Sequence, residues 1–329
     1  MLLCPVGTTH GQGTLQYAQL GNFRLENGQI MNDCQVGYRV FGTLNSDKSN
    51  AVLFPTWFVG TSHDLISFIG PDKLVDSSRY FVIAVDAFGN GISSSPSNSK
   101  AQPDSAFPRF SIRDMVHAQY ALLTQTLHLN RLYAVIGISM GAMQTFQWLV
   151  SYPDFLEKAI PIVGTPRLTP YGLLLWQTEL RVIGEMTKGQ QSDSLAMKIV
   201  ADIHMLAQRT PHYFVTHTTP AEFPQFLTAA ESAFMAYNLW NWASQVKAML
   251  VHDIYKPFAG SVERAAMTIR ARVLVIVVRQ DHMVNPEPAR TLARVLDAEI
   301  MELTSDCGHI ALWCGGDKIQ DAATRFLAK

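Results

Sequence analysis

The chain carries no surplus of charge of either sign: Lys and Arg number 26 and Asp and Glu 27 in 329 residues. Without a basic excess nothing draws it to a phosphate backbone or an anionic bilayer, so neither nucleic acid nor membrane is an expected partner. Cysteine is scarce. Cys4, Cys34, Cys307 and Cys314 lack the C-x-x-C spacing of metal and redox sites, and four in a chain of this length make no disulfide scaffold, so free thiols are expected. No apolar run approaches a membrane span without a charge or a proline, and the opening MLLCPVGTTHGQG has no basic leader, which makes a cytoplasmic protein the expectation. Repeats of fixed period and low-complexity tracts are absent, and the serine-rich stretch Ser93 to Ser99 is a loop too short to be a linker.

Apolar residues are plentiful, at 48% of the chain, enough to bury a substantial interior. Short apolar runs alternate with helical patterns, the signature of helices packed on a largely parallel sheet. The runs are Gln35 to Val40, Val52 to Phe54, Tyr80 to Val85, Tyr133 to Ile136, Ala159 to Val163, Val273 to Val278 and Glu299 to Leu303. Leu15 to Arg24, turning at Glu26, Asn27 and Gly28, adds antiparallel strands at one edge. Between Pro166 and Pro257 the alternation gives way to helical stretches rich in Met, Leu, Trp and Ala. The expected organisation is a core of residues 1–165 and 258–329, interrupted by a helical lid insertion over 166–257.

One serine stands out. Ser139 lies between Gly137 and Gly141, after an apolar β-favouring run and before a helical one that ends near Tyr152 and Pro153. This is the G-x-S-x-G nucleophile elbow. A serine hydroxyl is a weak nucleophile and must be held on a tight strand-to-helix turn, where a histidine can take its proton and backbone N–H groups can meet the oxyanion. The plainer alternative is a helix cap flanked by packing glycines.

In this arrangement an acid and then a histidine follow the nucleophile, each in a loop after a late strand. Asp281 stands just past Val273 to Val278, and His309 in the loop after Glu299 to Leu303. Asp281 would orient the imidazole, and His309 would move the Ser139 proton. Asp306 is the rival acid, but it precedes His309 by three residues and better suits a turn; Glu302 lies within the last strand. For the oxyanion, Met140 supplies the N–H after the nucleophile and Phe58 the second, with Trp57 next in line. Trp57 and Phe58 either wall the acyl pocket or are ordinary core aromatics. Tyr237, Trp240 and Trp242 either line the substrate mouth or pack the lid onto the core.

These residues resemble the homoserine O-acetyltransferase family of the α/β-hydrolase superfamily. Similar stretches are Gly37-Tyr38 with Phe41 to Asn45, Tyr80 to Ile83, Ser139-Met140-Gly141 with Met143-Gln144 and Trp148, and Asp306 to His309. The resemblance implies the α/β-hydrolase fold and a ping-pong reaction, in which Ser139 takes an acyl group from acyl-CoA and an amino-acid hydroxyl removes it. The family places glycines where Ile138 and Ala142 stand, and a histidine at Thr56. Its insertion also carries an arginine for the substrate carboxylate. An ungapped alignment puts Leu180 there and makes the adjacent Arg181 the candidate, turned about 100° around a helix.

These residues suit three functions. The first is hydrolysis of a small or medium ester by water on an acyl-Ser139 intermediate. In the second, an O-acyltransferase, an alcohol outcompetes water and acyl-CoA is co-substrate; the third is a scaffold that binds without catalysis. Neither a metal nor a cofactor is expected, the partners are small molecules, and a homodimer is allowed for. The weakly charged insertion and the displaced arginine incline the reading toward hydrolysis.

Overall fold

A computed structural model of the chain describes residues 13–329. Eight strands form one sheet: β1 (Gln16–Arg24), β2 (Ile30–Phe41), β3 (Ala51–Pro55), β4 (Phe81–Val85), β5 (Leu132–Ile138), β6 (Leu156–Ile162), β7 (Arg272–Val278) and β8 (Glu299–Leu303). Their order is β1-β2-β4-β3-β5-β6-β7-β8. The β1–β2 hairpin is antiparallel, and β2 runs antiparallel to β4; every pairing from β4 through to β8 is parallel. Strands covered on both faces should read as unbroken apolar runs, and β3 and β4 are buried at every residue.

The helices are α1 (Ile112–Ala121), α2 (Met140–Ser151), α3 (Pro170–Lys188), α4 (Asp193–Gln208), α5 (Pro211–His217), α6 (Phe223–Phe234), α7 (Leu239–Leu250), α8 (Val262–Ala266), α9 (Glu287–Leu296) and α10 (Ala311–Ala328). Their starts are written in the sequence. Ser111 and Asp114 form a reciprocal capping box on α1, Thr169 and Thr210 cap α3 and α5 directly before a proline, and Asn238 caps α7. Helices α3 to α7 follow one another between β6 and β7 and form the cap. Helix α2 packs against β5 and β6 with Phe146 and Trp148 fully buried, so truncating either to Ala would cost about 3–5 kcal/mol.

The expectation of free thiols is corrected at one pair. Cys307 and Cys314 are joined in a disulfide, the turn into α10 bringing their Cα atoms to 6.5 Å. Cys34 is free and buried, and burial pushes its thiol up to about 12. Cys4 lies outside the described residues. Among those residues no helix is long and apolar enough to cross a membrane.

Candidate active site

Ser139 sits between the end of β5 and the start of α2 with φ 56° and ψ −119°, a conformation that costs a non-glycine residue about 1–3 kcal/mol. The turn holds because its neighbours are small. A Cβ on Gly137 would lie 2.1 Å from the Gly141 carbonyl oxygen, and one on Gly141 would lie 2.5 Å from that of Pro55. Both contacts are below any tolerable approach to backbone, so the flanking glycines are a requirement of the turn. The Ser139 N–H donates to Ile162 O at 2.9 Å, which ties the elbow to β6.

The structure brings Ser139, His309 and Asp281 together. Ser139 Oγ is 2.8 Å from His309 Nε2, and His309 Nδ1 is 2.7 Å from Asp281 Oδ2. A carboxylate only accepts, so Nδ1 carries the hydrogen and Nε2 is left to accept from the serine hydroxyl. The other carboxylate oxygen, Oδ1, accepts the N–H groups of Met283 and Val284 at 2.9 and 2.8 Å, fixing the side chain in its turn. Asp306 takes no part. Its carbonyl accepts from the Thr210 N–H and hydroxyl at 3.1 and 2.9 Å, and its carboxylate lies 3.7 Å from His212. The end of α4 is thereby stapled to the loop that carries His309. Glu302 pairs with Arg279 and Arg290 on the surface.

The loop after β3 lies against the elbow. The N–H groups of Thr56, Val59 and Gly60 are engaged by Val85 O, Gln245 Oε1 and Trp57 O, which leaves those of Trp57 and Phe58. Met140 opens α2, so its N–H is one that a helix's first turn leaves without an intrahelical partner. Two buried polar networks hold the loop. Gln245, reaching from α7, accepts from Val59 N–H at 2.7 Å and donates to Phe88 O at 2.8 Å, while Val59 itself sits at φ 53°. Asp86 Oδ1 accepts from Ser62 N–H and from Asn90 Nδ2, and burial pushes its carboxyl above the ordinary range. Thr56 is fully buried; its hydroxyl accepts from Ala87 N–H and its carbonyl from Gln144.

A cavity of about 410 Å³ opens above Ser139 and His309, within the usual size range for small-molecule sites. Its walls are largely aromatic: Trp57 and Phe58 from the loop, Trp176, Phe234, Tyr237 and Trp242 from the cap, and Trp313 from α10. Burial raises the Tyr237 phenol above its ordinary range. Two expected residues are elsewhere. Arg181 is exposed on α3, and Trp240 lies beside Phe107 and Lys247 at a separate depression, since helical spacing turns each away from its neighbours that face inward.

The arginine that does line the cavity is Arg209, directly after α4. Its guanidinium lies over the Tyr213 ring at 4.6 Å, and its Nε is buried with no hydrogen-bond partner among the described residues. Glu179, His204 and Gln245 were also missed. Each occupies a buried stripe of its helix: Gly172, Trp176, Glu179 and Ile183 on α3, Met197, Val200, Ala201 and His204 on α4, and Trp242, Gln245, Val246 and Met249 on α7. A polar residue on an apolar stripe was the available signal.

A family model described as "alpha/beta hydrolase fold" matches residues 50–315. The "Probable esterase" of Corynebacterium glutamicum is 43% identical over 334 residues, covering 93% of this chain and 92% of that protein. The homoserine O-acetyltransferase of Methanosphaerula palustris is 29% identical over 349 residues, covering 92% of this chain and 70% of its own length. Among solved structures, an acetylester hydrolase from Corynebacterium glutamicum superimposes with a TM-score of 0.89 at 26% identity, covering 97% of each chain.

Proposed function

We propose that this chain, which belongs to the α/β-hydrolase fold family, hydrolyses small or medium carboxylic esters through an acyl-Ser139 intermediate. The observation that carries the reading is the unbroken run of hydrogen bonds from Ser139 through His309 to Asp281, opening on a cavity with aromatic walls. Ser139 Oγ attacks the ester carbonyl as its proton passes to His309 Nε2, and Asp281 steadies the imidazolium. The oxyanion is met by the N–H groups of Met140 and Phe58. Collapse of this intermediate expels the alcohol, which takes the proton from His309. Water then repeats the sequence on the acyl-serine and frees the acid. The similarity to proteins named esterase and acetylester hydrolase supports water as the second nucleophile.

A second reading, acyl transfer from acyl-CoA to a small alcohol, has one observation in its favour. Arg209 lines the cavity, where its guanidinium would meet a carboxylate-bearing acceptor, and its buried Nε has no hydrogen-bond partner among the described residues. The displacement of Arg181 therefore no longer argues against transfer. The two readings are separated by incubating the protein with acetyl-CoA or p-nitrophenyl acetate, each with and without candidate alcohols. Ester turnover without an alcohol is expected; alcohol-dependent CoA release with negligible ester turnover would overturn hydrolysis in favour of transfer.

No cofactor is proposed for either reading, acyl-CoA being a co-substrate in the second. A homodimer finds support in the outer face of the cap, where Leu206, Val215 and Phe223 stand exposed around an apolar groove; light scattering on the purified protein tests it. A cytoplasmic location is the sequence-based proposal, and the Cys307–Cys314 disulfide weighs against it, since reducing compartments seldom keep such bonds.

A further inference from the structure

The cavity holds a second imidazole, which the triad does not use. His204 lines it from α4, with Nδ1 3.1 Å from Glu179 Oε1. The other oxygen of that carboxyl, Oε2, accepts from the indole N–H of Trp242 at 3.1 Å. Glu179 is fully buried, so three cap helices, α3, α4 and α7, converge on one carboxyl inside an aromatic enclosure. As a structural joint this is wasteful, because an apolar junction of the same volume is generally as stable as a buried polar one, or more so. Its particular consequence is to fix the plane of the His204 ring, whose face stacks on Phe58 at 6.3 Å between centroids.

With Nδ1 engaged, Nε2 is the remaining polar atom of the ring, and it has no hydrogen-bond partner among the described residues. Beside it, Trp176 lines the same cavity with its ring centroid 5.7 Å from that of His204, and its indole N–H is buried, away from solvent, with no hydrogen-bond partner among the described residues. An unpaired ring nitrogen in an aromatic pocket penalises an occupant that offers it nothing, because the occupant strips its water and returns no bond. A hydroxyl both donates and accepts, so it suits Nε2 in either protonation state.

Building on the esterase reading, we propose that His204, oriented by Glu179, recognises a hydroxyl carried by the substrate away from its scissile bond. The preferred substrates are then esters of hydroxylated alcohols or hydroxylated acids, in preference to simple alkyl esters. Which half of the ester carries the group is settled by two matched comparisons of equal size: 2-hydroxyethyl acetate against propyl acetate, and ethyl 3-hydroxypropanoate against ethyl butanoate.

In one of these pairs kcat/KM should favour the hydroxylated ester by about tenfold, the worth of one hydrogen bond to a buried group. Replacing both partners, in the double variant Glu179→Leu, His204→Leu, should reduce that ratio to about one while the alkyl ester is still turned over. Should the double variant fail to fold, Glu179→Gln serves, since it keeps a polar partner for the ring but changes its hydrogen bonding; a severalfold fall in the ratio is expected. A wild-type ratio at or below one in both pairs, or a ratio unmoved in a folded variant, overturns this inference and leaves the esterase reading intact. Absence of turnover with all four esters and with p-nitrophenyl acetate overturns both together.

Discussion

Replacing Asp281 by Asn changes the catalytic hydrogen bonds while sparing the fold. Asp281 Oδ1 accepts two backbone N–H groups, from Met283 and Val284, and an asparagine oxygen in the same place keeps both. The turn after β7 should therefore survive, with a change in thermal stability of no more than about 1 kcal/mol. On the other side an NH2 group would face His309 Nδ1 where a carboxylate oxygen now lies at 2.7 Å. An amide N–H donates, so the imidazole must accept at Nδ1 and carry its hydrogen on Nε2, the atom 2.8 Å from Ser139 Oγ. A nitrogen already bearing hydrogen cannot take the serine proton. The expected loss in kcat is about 10⁴-fold, or roughly 5.5 kcal/mol in the barrier, with KM little changed. The assay is steady-state hydrolysis of p-nitrophenyl acetate beside a thermal melt, with Asp306→Asn as the comparison, since among the described residues that carboxylate meets only His212, at 3.7 Å. A folded Asp281→Asn within tenfold of wild type, or an Asp306→Asn equally damaged, would refute the reasoning.

Other outcomes follow from groups that support the site. Gln245→Leu removes the acceptor that holds Val59 N–H in its left-handed turn. The Phe58 N–H should then drift from the oxyanion, lowering kcat by about 10- to 100-fold with KM nearly constant; a folded variant with unchanged kcat would remove Gln245 from any positioning role. His252 is buried with its Nε2 3.1 Å from Thr165 O, and burial pushes it from 6.5 down to about 4. The unfolded chain therefore binds a proton between these values that the folded one does not, so stability falls as pH drops from 6.5 toward 4, by about 2 kcal/mol at pH 5. Urea melts at pH 7 and pH 5 should show this loss, and His252→Gln should lack most of it; equal slopes in the two proteins would assign the acid sensitivity elsewhere.

The parts of the molecule that were legible in the sequence are those governed by local pattern. Val52 to Phe54 became Ala51–Pro55, because a strand buried on both faces is written as an unbroken apolar run, and Glu299 to Leu303 became β8 without change although it is a largely exposed edge strand with two glutamates. Gln35 to Val40 was too short: β2 begins at Ile30, the polar Asn32 and Asp33 standing at an irregularity between the Met31 and Cys34 pairings with β1, with Asp33 at φ 48°. The elbow was legible since its glycines answer a steric demand within the turn itself. The cap side of the cavity was not. Its form depends on where the end of α4 meets the His309 loop, a contact between residues about a hundred positions apart that brings Arg209 to the site and leaves Arg181 outside. His204 and Glu179 sat on apolar stripes where polar residues should have drawn notice. The Cys307–Cys314 bond was hidden because its seven-residue spacing matches no motif and arises only from the turn into α10.

The most direct measurement of the central claim is to quench the protein during turnover of p-nitrophenyl acetate and map the acetyl group by peptide mass spectrometry. The account predicts acetylation at Ser139, building up further when deacylation is slowed at low temperature and vanishing in His309→Ala. An active protein whose acetyl group is found on another residue, or whose turnover persists in Ser139→Ala, would contradict it.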